Sequence, residues 1–305
     1  MINEAWLRGR WGLIGLLLLT LGCAPPPPPK TAISSPAPSP PPPPELRYEQ
    51  RTVGRSQIHL IVVPPGAPYT VTPAIAEGVS TVAELAQQTG AIAAINGGYF
   101  DPVNQKSASF VVKAGKTVAN PQSNERLVQN PQLAPNLSRI LSRTTFRRYR
   151  CAGQILYDIA PGGEIAPTGC RLLDELGAGP ALLPQAQLEE EAFLERTDGI
   201  VTRDPLGVEQ PNARSAVGIT GDGSVILVMV AQKPEIPGAS GMTLTELATL
   251  LRDLGAVKAM NLDGGTSSAL FYRGTTYHGK VNATGERIWR PIKTALVVQD
   301  NRITP

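Results

Sequence analysis

Two short turns carry the polar side chains that are best placed to do chemistry. The first spans residues 96–101 and reads NGGYFD, and the second spans residues 261–268 and reads NLDGGTSS. Glycines let a ligand approach the backbone closely, and the N–H groups of glycine-rich turns suit phosphate oxygens or a developing oxyanion. A single Gly-Gly pair is explained equally well by a tight turn. The carboxylate of Asp263, followed by three hydroxyl side chains, favours a functional site over that simpler explanation.

The same elements precede both turns. Residues 81–84 (TVAE) and 243–246 (TLTE) each form a capping-box sequence, T-x-x-E, which predicts the first turn of a helix. A glycine ends each helix, at Gly90 and Gly255, and a short apolar strand then leads into the turn. The spacing from that glycine to the asparagine is identical in both units. We infer two pseudo-equivalent helix–strand units whose Asn-Gly-Gly turns lie near one another; the alternative is chance recurrence of common capping sequences.

Runs of β-branched residues predict much of the remaining structure. Residues 58–63 form a short strand closed by a Pro-Pro-Gly turn, and residues 291–298 form another strand near the C-terminus. Residues 215–219 and 225–230, joined by a Gly-Asp-Gly turn, predict a β-hairpin. Strands outnumber helices, and we expect mixed pairing. The predicted fold class is α+β, a single domain with mixed β-sheets and few helices.

The N-terminal region has the features of an export and anchoring segment. Two arginines precede a short apolar run that ends at Cys23, a pattern that resembles the lipobox of a lipoprotein signal peptide. We predict a signal peptide at residues 1–22 and a lipid on Cys23; ordinary cleavage and an uncleaved anchor are the alternatives. Residues 23–46 are proline-rich and predict a disordered linker with polyproline II character. Residues 47–305 are expected to form the catalytic domain, exported to the periplasmic or outer-surface side of a bacterial cell envelope.

Composition argues against several classes of function. The net charge is only +3, so the chain lacks the basic character that would indicate nucleic acid as a partner. Two histidines, His59 and His278, are too few for a His-based zinc site and disfavour a Ser-His-Asp triad. In an oxidising compartment Cys151 and Cys170 are expected to form a disulfide, and no metal site is predicted. Five arginines within residues 136–151 are interpreted as a solvated helix face, with attraction of anionic glycans or lipid head groups as the alternative.

Four ordered motifs make a family resemblance specific. They read NGGYF at residues 96–100, GPAL at 179–182, ARSAVG at 213–218 and NLDGGTSS at 261–268. In order and rough spacing they resemble the motifs of the phosphodiester glycosidase domain family, and the match covers most of residues 58–298. Thr266 stands where animal members of that family have a third glycine, a substitution that keeps the turn polar and could alter the fit of the substrate.

The resemblance implies cleavage at an anomeric carbon with release of a phosphate monoester, and that chemistry assigns roles. Asp263 is the expected carboxylate on the sugar side, as nucleophile, base or electrostatic stabiliser, with Asp101 in reserve. Arg214 is expected to bind phosphate through its planar guanidinium. Asn96 is expected to orient sugar hydroxyls or donate to phosphate. The other expected substrate-binding residues are Gly97, Gly98, Tyr99, Asn261, Gly264, Gly265, Thr266 and Ser267.

Structural roles are the alternative for each of these residues. Asp263 could cap its own turn, Arg214 could be a surface charge, and Tyr99 could be a core aromatic residue. Glycosidases usually need two carboxylates, and the sequence does not identify the second one. The unranked candidates are Glu209, Glu286 and Asp101.

The expected function is hydrolysis of a sugar-1-phosphodiester on an envelope glycan or exported polysaccharide. The alternatives are a non-catalytic carbohydrate-binding envelope lipoprotein and a phosphodiesterase that breaks the P–O bond. An enzyme is favoured because a pure glycan-binding site more often uses stacked aromatic residues, and aromatic residues make up only 5% of this chain.

No cofactor is implied; a divalent cation such as calcium is compatible because oxygen-only sites leave no diagnostic spacing here. The expected partners are a phosphorylated glycan and, through the lipid, a membrane, and the oligomeric state stays open.

Overall fold

The computed structural model describes residues 43–303. The predicted signal peptide, the lipidated Cys23 and the linker up to residue 42 lie outside this range. No helix of residues 43–303 is both long enough and apolar enough to cross a membrane. In chain order the strands are β1 (Arg47–Val53), β2 (Ser56–Val63), β3 (Tyr69–Ser80), β4 (Ala91–Asn96), β5 (Val111–Lys113), β6 (Lys116–Ala119), β7 (Thr145–Cys151), β8 (Gln154–Ala160), β9 (Cys170–Gly177), β10 (Ala181–Leu183), β11 (Glu195–Thr197), β12 (Ile200–Arg203), β13 (Arg214–Thr220), β14 (Val225–Ala231), β15 (Ala256–Asn261), β16 (Ala269–Tyr272), β17 (Thr275–His278) and β18 (Ile292–Asp300). The α-helices are α1 (Val82–Gln88), α2 (Glu125–Val128), α3 (Leu137–Leu141) and α4 (Leu244–Asp253), and 3₁₀ turns lie at Pro121–Ser123, Ala134–Asn136 and Gly265–Ser267.

Three sheets build the described part of the chain. The first has the strand order β1-β2-β14-β13-β15-β10, the second β17-β16-β4-β18-β3 and the third β6-β5-β9-β7-β8, while β11 and β12 form a separate hairpin. The α+β class with few helices is confirmed. Where we expected mixed pairing, every strand pair in these sheets is antiparallel.

The two predicted helix–strand units share one topology. In the first unit, α1 connects β3 to β4, and β18 lies between those two strands; in the second unit, α4 connects β14 to β15, and β13 lies between them. The two strands of each unit therefore run parallel, but an antiparallel strand separates them. This inserted strand is the physical reason that parallel neighbours are absent from both units.

The capping boxes form as the sequence predicts. The hydroxyl of Thr81 accepts from the backbone N–H of Glu84 at 3.1 Å, and the Glu84 carboxylate accepts from the backbone N–H of Thr81 at 2.8 Å. Thr243 and Glu246 make the same two hydrogen bonds at 3.1 and 2.8 Å. Each pair satisfies backbone donors that the first turn of a helix leaves unpaired.

The core explains why both units are strongly apolar. In β14 the odd-numbered residues from Val225 to Ala231 lie in a cluster where the three sheets meet, and the even-numbered residues from Ile226 to Val230 pack against α4. Helix α1 packs through Leu85 and Ala86 on the face of the second sheet that points away from the cluster where the three sheets meet. Successive strand residues point to opposite faces, so a central strand covered on both faces needs an uninterrupted apolar sequence.

Further local predictions can be compared directly with the structure. The hairpin is confirmed as β13–β14, and the disulfide between Cys151 and Cys170 is confirmed at the paired ends of β7 and β9. The prediction of a solvated helix face within residues 136–151 is wrong. Helix α3 ends at Leu141, and the following segment forms β7, in which Arg147 is only 2% exposed. The helical spacing of these arginines in the sequence did not reveal that the segment after Leu141 forms a strand within a β-sheet.

Candidate active site

The two Asn-Gly-Gly turns lie side by side, as the sequence predicts. The backbone N–H of Asp263 donates to the carbonyl of Gly97 at 2.9 Å, and the Asn96 side-chain amide donates to the carbonyl of Asp263 at 2.6 Å. Strand β18 fixes the first turn, because the N–H of Gly97 donates to the carbonyl of Thr294 at 2.7 Å. The ends of β4 and β15, which belong to different sheets, therefore meet at one point.

Asn96 connects the segments around this point. Its Oδ1 accepts from the hydroxyl of Ser215 at 2.7 Å and from the N–H of Ala269 at 3.1 Å, and the side chain is completely buried. Because both ends of the amide are used within the protein, Asn96 has a positioning role in this structure. The direct substrate contact that we expected would require an exposed amide, which the structure does not provide.

Asp263 lies beside an arginine that the sequence motifs do not include. Its Oδ2 accepts from Nη2 of Arg290 at 2.9 Å, and Nε of Arg290 donates to the hydroxyl of Ser267 at 2.7 Å. The backbone N–H of Arg290 donates to the carbonyl of Thr266 at 3.0 Å, and the guanidinium lies 4.9 Å from the Phe100 ring centre. Four contacts thus hold Arg290 to the two turns.

The electrostatics of this pair are asymmetric. Burial raises the pKa of Asp263 above the ordinary value for an aspartate, although the charge of Arg290 opposes that rise. The Asp263 side chain is 11% exposed, whereas that of Arg290 is 37% exposed. Within the described residues, Nη1 of Arg290 makes no hydrogen bond. A buried carboxylate and a guanidinium that reaches solvent therefore share one site.

Arg214, the arginine that the motif singled out, has a different environment. It is 2% exposed, and its guanidinium donates to four backbone carbonyls at 2.6–3.0 Å, those of Leu206, Gly207, Gln210 and Met242. Its Cδ lies 4.0 Å from the position that a Cβ of Gly264 would occupy. The guanidinium fork that we expected to bind phosphate is directed at the backbone, so this geometry corrects the expectation: Arg214 supports the Asp263 turn from behind.

Tyr99 and Asn261 form the inner wall of the site. The phenol of Tyr99 donates to the carbonyl of Gly179 at 2.8 Å and accepts from Nδ2 of Asn261 at 2.8 Å. Burial, with a further contribution from the charge of Asp263, raises the pKa of Tyr99. The Oδ1 of Asn261 is buried and has no hydrogen-bond partner among the described residues. Asn261 is only 1% exposed, so this unpaired acceptor lies inside the wall and not on its open surface.

The GPAL motif is explained by the same wall. Gly179 has a positive φ of 87°, and a Cβ there would overlap the carboxylate of Glu191. That carboxylate accepts from the hydroxyl of Thr144 at 2.7 Å and from the N–H of Ala181 at 2.8 Å. Burial raises the pKa of Glu191. A cavity of about 500 Å³ is lined by Thr144, Ala181 and Glu191 and not by Asp263 or Arg290, so it is separate from the candidate site.

The remaining predicted residues divide between the site and its surroundings. Gly264, Gly265 and Thr266 are partly exposed beside Asp263, and Ser267 is buried against Arg290. Gly98 lies where a Cβ would overlap the carbonyl of Gly177, so backbone packing, not a ligand, explains this glycine.

The candidate second carboxylates make their contacts elsewhere. Asp101 pairs with Arg126 at 2.7 Å and accepts from the N–H of Val103 at 2.8 Å. Glu209 is an exposed partner of Arg196, and Glu286 is bonded within its own turn. Asp263 is thus the carboxylate that the structure places at the meeting of the two turns. Residues 43–303 contain no group of three or more His, Cys, Asp or Glu side chains that could hold a metal ion.

The chain belongs to the phosphodiester glycosidase family, whose sequence model matches residues 89–299. The family comprises hydrolases that act on phosphodiester glycosides. The matched region contains all four motifs and both candidate residues, Asp263 and Arg290. No curated protein matches this sequence.

Solved structures with low sequence identity share the fold. The catalytic domain of zebrafish N-acetylglucosamine-1-phosphodiester α-N-acetylglucosaminidase, auto-inhibited by its pro-peptide, is 20% identical with a TM-score of 0.58, covering 84% of this chain and 82% of that one. A hypothetical protein from Synechocystis is 18% identical with a TM-score of 0.54; the similarity covers 83% of this chain but only 62% of that one. A putative exported protein from Burkholderia pseudomallei is 16% identical with a TM-score of 0.52, covering 80% and 74%. At these identities the similarities show the fold alone.

Proposed function

We propose that this protein hydrolyses the bond between the anomeric carbon of a sugar and a phosphodiester, and that Asp263 and Arg290 act at that bond. The observation that carries this proposal is the 2.9 Å pair between the buried Asp263 carboxylate and the half-exposed Arg290 guanidinium, at the meeting point of two glycine-rich turns. The zebrafish relative named above acts on an N-acetylglucosamine-1-phosphodiester, which makes a sugar of that class the first candidate substrate.

The two charges match the two sides of the bond that breaks. Positive charge develops at the anomeric carbon in an oxocarbenium-like transition state, and the Asp263 carboxylate stabilises it. The bonding electrons leave with the phosphate oxygen, and the free Nη1 edge of Arg290 compensates that negative charge. Water supplies the oxygen of the new C–O bond at the anomeric carbon, and the proton that it loses passes to the released phosphate monoester or to solvent. A phosphate monoester is already a stable leaving group, so the site needs no second carboxylate to protonate it.

The experiment uses a sugar-α-1-phosphate diester in ¹⁸O-labelled water with purified protein. Cleavage of the C–O bond places the label in the sugar, whereas cleavage of the P–O bond places it in phosphate. Asp263→Asn is nearly isosteric and should lower kcat/KM at least about a hundredfold. Label in phosphate would establish a phosphodiesterase instead, and no turnover, or full turnover by Asp263→Asn, would refute the proposed site.

We also propose an envelope glycan or exported polysaccharide as the natural substrate. The signal-peptide pattern and Cys23 support this location, and both lie outside the described residues. Radiolabelled palmitate should enter the wild-type protein and not the Cys23→Ala variant in the producing cell. Labelling of neither protein, with the product in the culture medium, would exclude a lipid anchor.

A further inference from the structure

Two arginines, Arg143 and Arg203, converge on the loop between β10 and β11 and are called the arginine pair below. Nε of Arg143 donates to the carbonyl of Glu191 at 2.9 Å, and its Nη2 donates to the carbonyl of Ala192 at 3.3 Å. Arg203, on β12, donates from Nε to that same Ala192 carbonyl at 3.2 Å. Both bonds to Ala192 are long, because N–H···O hydrogen bonds are commonest at about 2.9–3.0 Å. One neutral oxygen thus holds two neighbouring cations, and holds each of them weakly.

Among residues 43–303, no carboxylate forms a salt bridge with the arginine pair. The neighbouring Arg139 differs, because it pairs with Glu195 at 2.8 Å. The charge of Glu191 acts favourably on Arg143, but the Glu191 carboxylate uses its oxygens in the hydrogen bonds described above. Burial, and then the charge of Arg203, lower the pKa of Arg143 to about 10, so its guanidinium is still charged near pH 7.

Aromatic rings hold the Arg143 guanidinium in place and leave part of it free. Its Cζ lies 3.7 Å from the centre of the Phe193 ring and 5.9 Å from that of the Tyr99 ring. Arg143 is only 9% exposed, yet its Nη1 has no hydrogen-bond partner in the described part of the chain and is not one of the unpaired atoms closed off from solvent. Both Nη atoms of the partly exposed Arg203 lack a partner there as well. The pair therefore offers three guanidinium nitrogens that can still donate.

Tyr99 connects the arginine pair to the candidate active site. Its ring lies beside Arg143, and its phenol accepts from the side-chain amide of Asn261. Within the described structure, neither arginine of the pair makes a hydrogen bond with Asp263 or Arg290. The pair thus adjoins the inner wall of the site and is distinct from the two residues to which we assign bond cleavage.

We propose that Arg143 and Arg203 together bind a phosphate-type oxyanion. An oxyanion has several acceptor oxygens, so it can accept from both guanidinium groups in short, charge-assisted hydrogen bonds that a single carbonyl cannot provide. Its negative charge also offsets the repulsion between the two cations. The oxyanion is either a free phosphate ion or a phosphate group carried by a glycan chain, because both present the same oxygens. This inference goes beyond the proposed function and does not depend on it.

Calorimetric titration tests the site directly. Inorganic phosphate is titrated into the purified Arg290→Ala protein, so that phosphate held by Arg290 does not contribute, and we expect saturable binding. Adding Arg203→Ala should raise Kd at least about tenfold; this side chain is partly exposed, so the fold should tolerate its loss. Arg196→Ala is the matched control, because Arg196 lies on the paired strand β11 and contacts Glu209 instead. It should leave Kd unchanged.

Arg143→Lys provides a second variant. It keeps the positive charge but loses the planar fork and the contact with the ring of Phe193, so Kd should also rise. Thermal denaturation without phosphate shows whether each variant is folded before its Kd is compared. A folded Arg143→Lys protein with the Kd of its parent would remove Arg143 from the site and overturn the proposal.

Dimethyl phosphate distinguishes the two sources of the oxyanion, because it has the single charge and the two free oxygens of a diester within a glycan chain. Binding of dimethyl phosphate with a Kd similar to that of inorganic phosphate would assign the site to a phosphate group of a glycan. Binding of inorganic phosphate alone would assign it to the free ion. Absence of binding in the Arg290→Ala protein, an unchanged Kd after Arg203→Ala, or an equal rise after Arg196→Ala would overturn the inference. None of these measurements uses turnover, so failure of the proposed function would leave their outcome unaffected.

Discussion

Asn96 and Asn261 end equivalent strands of two equivalent units, yet they face different environments. Asn96 is completely buried, and its amide binds three partners in three segments. Asn261 is 1% exposed, but its Oδ1 has no partner in the described residues, and its turn continues into the partly exposed Gly264 and Thr266. The same local sequence is thus fully hydrogen-bonded in one unit and, in the other, leads into the turn that carries Asp263, for which we propose a catalytic role.

The neighbours of each turn account for this difference. Thr294 of β18 closes the first turn through a backbone hydrogen bond, and Ser215 and Ala269 complete the shell around Asn96. The second turn carries two extra residues before its glycines, Leu262 and Asp263, and Arg290 from the loop before β18 contacts Asp263. The two units share the same helix–strand framework. They differ in the contacts that neighbouring segments make with each turn, and we expect these contacts to determine which turn can bind a ligand.

The largest effect that tests this comparison is the loss of Asn96. Asn96→Ala removes one donor and one acceptor and leaves the carbonyl of Asp263, the hydroxyl of Ser215 and the N–H of Ala269 without their partner. Each buried unpaired group costs about 1–3 kcal/mol, so we expect the free energy of unfolding to fall by about 4 kcal/mol. Equilibrium urea denaturation measures this loss.

Asn261→Ala is the matched variant for that measurement. It removes a donor to Tyr99 and to the carbonyls of Leu262 and Gly179, but its own acceptor is unpaired in the free protein, so the expected loss is smaller than for Asn96→Ala, about 2 kcal/mol. Its main effect should be on kcat/KM, through the freed Tyr99 ring. Equal destabilisation by the two variants would show that the turns play the same role.

The next effect concerns the two arginines. Arg290→Ala should lower kcat/KM about a hundredfold, because its free Nη1 edge compensates the negative charge that develops on the phosphate, and should change Tm less than Arg214→Lys, because the side chain is partly exposed. Arg214→Lys should instead lower the free energy of unfolding by about 2 kcal/mol, because an ammonium cannot satisfy four carbonyls arranged around a guanidinium. Initial-rate kinetics and thermal denaturation of both variants measure these effects.

The opposite pattern would reverse the assignment. If Arg214→Lys keeps its Tm and loses activity, the arginine of the sequence motif binds phosphate after all. Arg290→Lys provides the conservative control, since it keeps the charge but not the contacts with both Asp263 and Ser267. It should retain more activity than Arg290→Ala.

These two arginines also mark the limit of what the sequence predicts. Local chemistry was sufficient for the capping boxes, the hairpin and the disulfide, because short-range spacing determines each of them. The contact between the two turns is long-range, and it was predicted from the recurrence of one local pattern. Arg290 was missed because its link to Asp263 is 27 residues long and depends on the loop before β18. Arg214 was misassigned because a motif shows which residue is present but not whether its donors face a ligand or the backbone. The inserted strands β13 and β18 are likewise long-range features.

The dependence on pH gives a smaller effect with a defined sign. Asp263 must be ionised to stabilise positive charge, so kcat/KM should rise with pH through its pKa, which burial raises. Arg290→Gln removes the charge that opposes this rise, and the acidic limb of the profile should move to higher pH. Stability has the opposite sign, because a group with a raised native pKa loses its stabilising contribution as pH rises through that pKa.

Profiles of kcat/KM from about pH 4 to 8 for wild type and Arg290→Gln give the measurement. Asp263→Asn serves as the control for stability, since its free energy of unfolding should lack the decrease assigned to Asp263. An acidic limb that stays in place, or moves to lower pH in Arg290→Gln, would show that another group controls the rate.

The smallest effect tests whether the two units are equivalent where their structures agree. Thr81→Ala and Thr243→Ala each remove one capping hydroxyl, and the hydrogen bonds lost have the same length of 3.1 Å. Each variant should lower the free energy of unfolding by about 1 kcal/mol and leave kcat/KM unchanged, because neither helix start contacts the site. Urea denaturation of the single and double variants measures both losses, which should add because the helices cover different sheets. Loss of activity in only one variant would show that asymmetry between the units begins at the helices, before the turns.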